Sequence, residues 1–253
     1  MRTPPAAELL GVWERAVDLT PVERLLAVLA AADPDASWDA LADLTIGERD
    51  VRLLAVRERL FGSAVAAVAR CPACAERVEL ALDTDALRLA ARPPHGVDGA
   101  SRDALVVDVA GHVVHLRLPT SVDLLAVSAT ADVEVASRTL LARCVVAAHH
   151  GDVPIGGDAL PEPVRHAVVA RMAEADPAGD VELALVCPGC GGRWHVVFDA
   201  GAFLWSEIDA WALRTIDDVH VLATAYGWSE ADVLALGPRR RRQYLALAEA
   251  RLA

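Results

Sequence analysis

Cys71-Pro72-Ala73-Cys74-Ala75-Glu76-Arg77-Val78-Glu79-Leu80-Ala81-Leu82-Asp83 and Cys187-Pro188-Gly189-Cys190-Gly191-Gly192-Arg193-Trp194-His195-Val196-Val197-Phe198-Asp199 are two copies of one pattern. Cys, Pro, Cys, Arg and Asp recur at the same offsets. In each copy a C-P-x-C turn runs into a stretch with the alternation of a half-buried strand. Each copy therefore reads as a thiol-bearing knuckle leading into a strand, which is half of a zinc ribbon. Two thiolates cannot close a structural zinc site, because such a site takes four ligands in a tetrahedron, whereas two halves together supply all four. The pattern predicts one structural Zn2+ held by Cys71, Cys74, Cys187 and Cys190.

Three other uses of the same cysteines stand beside that one. Disulfides belong to oxidising compartments, and this chain shows no export signal. A redox C-x-x-C pair opens a helix, whose N-terminus lowers the thiol pKa, while both pairs here precede strands. Lastly, each pair could hold its own metal, or the site could have lost metal altogether. A closed four-thiolate site leaves no open position for water, so the zinc would hold the fold and would not catalyse. The fifth cysteine, Cys144, lies among Leu140, Leu141, Val145 and Val146 and reads as a buried apolar thiol. His149-His150 reads as a solvated turn, and His195 as a strand residue beside the second knuckle.

Working outward, residues 1–62 are a helical region. Thr20-Pro21-Val22-Glu23 is a capping box with proline at the first helical position, and Thr45 with Glu48 starts a second helix that Gly62 stops. Residues 63–89 and 181–199 form the discontinuous ribbon. Residues 90–180 are an insertion: a loop over 90–103, a hairpin of Leu105–Val109 and His112–Leu118, a helical pattern from Pro119 through Ala148, and a helix over Pro161–Ala175. Residues 200–253 are helical again, with Leu204, Ile208, Trp211, Thr215, Val219, Leu222 and Tyr226 spaced as one stripe. The expected fold class is α+β, mostly helical, with a zinc-ribbon-like β unit built from the two knuckles.

The 253 residues are 54% hydrophobic and 24% charged, ample for a packed core. All 24 basic residues are Arg, with neither Lys nor Asn present, as GC-rich bacterial codon usage would give. No apolar run reaches the ~18 residues of a membrane span, and Met1–Glu8 has no apolar core for export, so the expected location is the cytoplasm, or a particle assembled there. A net charge of −12 argues against a general nucleic-acid binder. No phosphate loop, dinucleotide fingerprint, G-x-S-x-G or H-E-x-x-H occurs, so no enzymatic activity is expected.

Eight of the eleven aromatic residues lie from Trp194 onward. Some fill the core of the long helix; Trp205 and Trp228 fall off its apolar stripe. With Arg239, Arg240, Arg241, Arg242 and Tyr244 they are the candidate partner surface, since Trp, Tyr and Arg supply anchor energy at interfaces. Residues 229–253 carry five Arg against three acids, a balance of +2 that suits an acidic protein partner better than nucleic acid.

The second knuckle with Phe203-Leu204-Trp205, the segment Asp218–Leu236 containing Tyr226-Gly227-Trp228-Ser229, and Arg240–Leu245 resemble the baseplate-hub assembly chaperones and small baseplate proteins of contractile-tailed phages. The likeness is closer still to their counterparts in phage-tail-like contractile injection systems. Leu116–Leu125, Leu140–Cys144, Ala170–Leu185 and Leu44–Leu82 fit the same pattern, so the resemblance covers roughly residues 44–250. It implies a non-enzymatic protein acting through protein–protein contacts with baseplate or tail proteins, while the lack of an apolar span is the ground for expecting no membrane contact. The alternative expectation from another class is a zinc-ribbon adaptor or regulator that binds nucleic acid.

Overall fold

A computed structural model describes residues 1–90 and 105–252, and the fold is α+β. In chain order the first helices are α1 (Ala6–Ala16), α2 (Pro21–Ala32), α3 (Trp38–Ala42) and α4 (Ile46–Phe61). Strands β1 (Ala64–Arg70) and β2 (Arg77–Asp83) follow, then α5 (Thr84–Ala90), β3 (Leu105–Val109), β4 (His112–Leu116), α6 (Ser121–Val127) and α7 (Val133–Cys144). The rest comprises β5 (Val145–His150), β6 (Val153–Ile155), α8 (Glu162–Ala175), β7 (Glu182–Val186), β8 (Arg193–Val197), α9 (Ala200–Tyr226), α10 (Glu230–Leu234) and α11 (Pro238–Leu252). Two compact units result: residues 1–35 with 201–253, and residues 36–200.

The first unit is helical. Thr20 caps α2 through a capping box, with Glu23 N–H donating to Thr20 Oγ1 at 3.4 Å and Thr20 N–H to Glu23 Oε2 at 2.9 Å. Leu25, Leu26, Val28 and Leu29 of α2 are buried, as are Leu9 and Val12 of α1 and Leu204, Ile208, Ala212, Thr215 and Leu222 of α9. The stripe read on the long helix is thus the buried one, with Ala212 replacing the half-buried Trp211 at its centre. Trp13 Nε1 donates to Asp209 Oδ1 at 2.8 Å. Gly227 ends α9 with φ +69°, a left-handed turn that suits a residue without Cβ.

The second unit contains three antiparallel sheets: the ribbons β1-β2 and β7-β8, and a four-stranded sheet in the order β3-β4-β5-β6. Leu105, Val107, Val114, Leu116 and Ala148 of the larger sheet pack with Leu141, Leu160, Val164 and Val168 to make its core. The Leu105–Val109 hairpin pairs as expected, Leu105 opposite Leu116 and Val109 opposite His112. The helix expected from Pro119 to Ala148 is interrupted and shorter. Asp132 caps a new helix by accepting from the N–H groups of Glu134 and Val135, and that helix, α7, stops at Cys144. Val145-Val146-Ala147-Ala148-His149-His150 is a strand, because it pairs with β4 from Val145 opposite Leu116 to His150 opposite His112, and a β-bulge at His115 and Leu116 absorbs the offset. His149-His150 is therefore the end of β5 and not a solvated turn; the His150 ring stacks on that of His112 with centroids 4.2 Å apart. From residue 91 on, the loop expected over 90–103 lies outside the described residues.

The starts of α4 and α6 are fixed to each other and to the segment after α8. Thr45 forms a β-bridge with Thr120, and Ile46 N–H donates to Pro119 O at 3.2 Å. Gly47 N–H, in the first turn of α4, donates to Asp176 Oδ2 at 2.9 Å. Thus the carboxylate after α8 occupies the positive end of α4.

Candidate metal centre

Each knuckle is the turn of a two-stranded ribbon. Arg70 of β1 pairs with Arg77 of β2, and Val186 of β7 with Arg193 of β8, so each C-P-x-C sits at a ribbon tip. The tips share their backbone bonds: Cys71 N–H donates to Glu76 O and Cys187 N–H to Gly192 O, both at 2.9 Å. Ala75 N–H returns to Cys71 O, and Gly191 N–H to Cys187 O, again both at 2.9 Å. The residue after the second cysteine takes left-handed φ in both, +60° at Ala75 and +72° at Gly191. The repeated Asp83 and Asp199 each stand immediately before a helix, α5 and α9. The sequence repeat is therefore a repeat of structure: strand, knuckle, strand, aspartate, helix.

The two tips face one another. Cys71 Sγ lies 3.7 Å from Cys190 Sγ, Cys74 Sγ lies 3.6 Å from Cys187 Sγ, and all four sulfurs fall within 4.8 Å of one another. A tetrahedral metal with bonds of about 2.3 Å to sulfur separates its ligands by roughly 3.8 Å, so the spacing fits a four-thiolate cation site. All five cysteines of the chain are free thiols. Cys71 and Cys187 are buried against Val78, Leu80 and Trp194, while Cys74 and Cys190 are exposed. A Cβ on Gly189 would lie 3.7 Å from Glu76 Cγ, and one on Gly192 3.9 Å from Ala73 Cβ, so the second knuckle meets the first through its glycines.

The electrostatics favour a cation there. Backbone N–H groups, that of Cys74 foremost, draw the Cys71 thiol down to about 7 against its burial. The Glu76 N–H acts the same way on Cys74, but the neighbouring Cys190 and Cys187 thiols outweigh it and push Cys74 up to about 12. Four sulfurs this close do not ionise together without a positive charge among them. Among the described residues these four are the one cluster of histidine, cysteine or acidic groups with metal-binding spacing. His195 is exposed on β8 and opposite Ala184, outside the cluster. Cys144 is buried, which pushes its thiol up to about 11.

The candidate partner residues lie in the helical unit. The Arg24 guanidinium sits over the half-buried Trp205 ring, 5.2 Å from its centroid. Trp228 stacks on Tyr226 at 4.9 Å and meets the edge of Tyr244 at 4.8 Å, an aromatic group closed within the unit. Arg241 is buried with Nη1 3.8 Å from Asp218 Oδ2, whereas Arg239, Arg240 and Arg242 are exposed.

One cluster received no role from the sequence. Asp123 is fully buried, accepts from Arg117 Nη1 at 2.6 Å and Nη2 at 2.8 Å, and accepts from Arg143 Nε at 3.0 Å. Thr120 N–H adds a fourth bond at 3.0 Å. With Asp43, Thr45 and Val122 these residues line a cavity of about 320 Å³. The visible signal is the Thr120–Asp123 spacing of a capping box; the convergence of two arginines from distant segments has none.

No helix among the described residues is long and apolar enough to cross a membrane. Neither the curated proteins nor the solved structures contain a match to the chain. Against protein families, the chain matches the one described as T4 bacteriophage base plate protein, over residues 23–205. That range contains both knuckles, the Arg117–Asp123–Arg143 cluster and Asp176, and ends before Asp218–Leu236 and Arg240–Leu245, where the C-terminal part of the resemblance was read. Spanning most of the sequence and the whole of the cysteine-bearing unit, this match places the chain in the T4 bacteriophage base plate protein family.

Proposed function

We propose that this protein is a non-enzymatic assembly chaperone or accessory baseplate component of a phage-tail-like contractile injection system, and that it acts through protein–protein contacts. The observation that carries the reading is the base plate family match across residues 23–205. Zn2+, bound by Cys71, Cys74, Cys187 and Cys190, closes a discontinuous zinc ribbon, and residues between the two ribbons are an insertion held by it. The ion neutralises the thiolates and ties the tips together. No water position is left on it, so its role is to hold the fold. The sulfur spacing and the shared tip geometry support this.

Partner contact falls to the C-terminal helices. Arg239, Arg240 and Arg242 offer exposed guanidinium groups on the first turn of α11; Trp228 and Tyr244 pack with Tyr226, Arg241 pairs with Asp218, and Trp205, under Arg24, is a separate candidate contact on α9. Arginines at a helix N-terminus oppose the helix dipole, and an acidic partner offsets that cost. The test is particle assembly in cells expressing the complete tail gene set. Deleting this protein abolishes contractile particles, and the triple variant Arg239→Glu/Arg240→Glu/Arg242→Glu reduces their yield at least tenfold while the purified variant melts as the parent does. A chaperone is missing from finished particles and a component remains in them. Normal particle yield without the protein would overturn the reading.

A further inference from the structure

Two thiol–thiol contacts in the cluster run between knuckles: Cys74 Sγ to Cys187 Sγ at 3.6 Å and Cys71 Sγ to Cys190 Sγ at 3.7 Å. Each joins an exposed cysteine to a buried one, Cys74 and Cys190 being exposed residues and Cys71 and Cys187 buried ones. A disulfide bond is about 2.05 Å long, so each pair needs to close by roughly 1.6 Å, a movement of side chains and ribbon tips. We infer that the four cysteines form a paired oxidation site, at which a peroxide produces two disulfides across the knuckles, Cys74–Cys187 and Cys71–Cys190. The inference rests on the four thiols sharing one site, as proposed above.

In each pair one thiolate attacks the peroxide; an S–O bond forms, the O–O bond breaks, and water leaves after protonation. The thiolate of the other cysteine in the pair then attacks that sulfur, forming the S–S bond and releasing the hydroxyl as a second water after protonation. The second pair repeats the sequence, so two peroxides oxidise four thiols to two disulfides and yield four waters. No thiolate is left to hold a cation, and the tips are now tied covalently. These bonds close loops spanning 113 and 119 positions, which constrains the unfolded chain far more than a bond within one C-P-x-C turn. Oxidation thus replaces one clip between the ribbons with another.

The experiment treats the full chain with hydrogen peroxide, blocks remaining thiols, digests without reductant and maps the linked peptides by mass, while a chromogenic chelator reports released zinc. The expected products are Cys74–Cys187 and Cys71–Cys190, with one zinc released per two disulfides and the buried Cys144 still reduced. The oxidised chain melts above the reduced, chelator-stripped chain, and a thiol reductant with added zinc reverses both changes. Products confined to Cys71–Cys74 and Cys187–Cys190, or to sulfinic and sulfonic acids, overturn the inference. Cross-knuckle products from protein that carries no zinc would retain the inference and reject the zinc reading. Zinc release with links inside the knuckles would do the reverse.

Discussion

Asp123 shows how much one buried carboxylate can organise. Burial alone would push its pKa up, but the Arg117 guanidinium and the Thr120 N–H outweigh burial and hold it down to about 2. Its folded value lies below the ordinary carboxylate range near 4, so its contribution to stability is complete above that range and is lost as pH falls towards 2. Asp123→Ala leaves two guanidinium groups without their shared acceptor and is expected to cost about 3 kcal/mol in denaturant unfolding. It should also flatten the decline of stability between pH 4 and pH 2; an unchanged decline would place the acid sensitivity elsewhere. Ala75 and Gly191 make a second case. They hold matching left-handed positions, and an alanine there costs about 1 kcal/mol more than a glycine. Ala75→Gly should raise stability by up to about 1 kcal/mol, and Gly191→Ala, whose Cβ would meet nothing within 4 Å, should lower it by about as much. Equal effects of one sign would show that the knuckles are not conformational copies.

At the scale of elements, α4 depends on one acceptor from far along the chain. A Cβ on Gly47 would lie 1.8 Å from Asp176 Oδ1, so only glycine lets the carboxylate reach the helix start. Gly47→Ala is expected to destabilise by more than 2 kcal/mol and Asp176→Ala by about 1 kcal/mol. Because removing the carboxylate clears the clash, the double variant should cost less than the sum, which thermal and denaturant unfolding of the four proteins would measure. Full additivity would contradict the contact. Gly47–Asp176 has no signature in the sequence, since neither residue announces a partner so distant. The knuckles and capped helices were legible because their signals are local: the offsets of cysteine and proline, or Thr20 three residues before Glu23. Strand β5 was misread because Val145 to His150 continues the apolar character of α7, and only pairing with β4 makes it a strand. Strand β1 carries no polar alternation in Ala64–Ala69 and was invisible for the same reason.

For the whole molecule, the family match and the cysteine cluster bear on the same unit, residues 36–200, while the candidate partner surface belongs to the other, residues 1–35 with 201–253. This division has a consequence for truncation. Removing residues 228–253 deletes α10 and α11 with the exposed arginines, and the cysteine-bearing unit should keep its metal while particle assembly is lost. Normal assembly by a metal-replete truncated protein would move the partner surface elsewhere. The central claim is that two distant C-P-x-C turns share one structural metal, and zinc K-edge absorption on protein purified without chelator tests it most directly. The account predicts one zinc per chain with four sulfur neighbours at about 2.3 Å and no lighter ligand. A ratio near zero, a ratio of two, or a shell containing nitrogen or oxygen would contradict it.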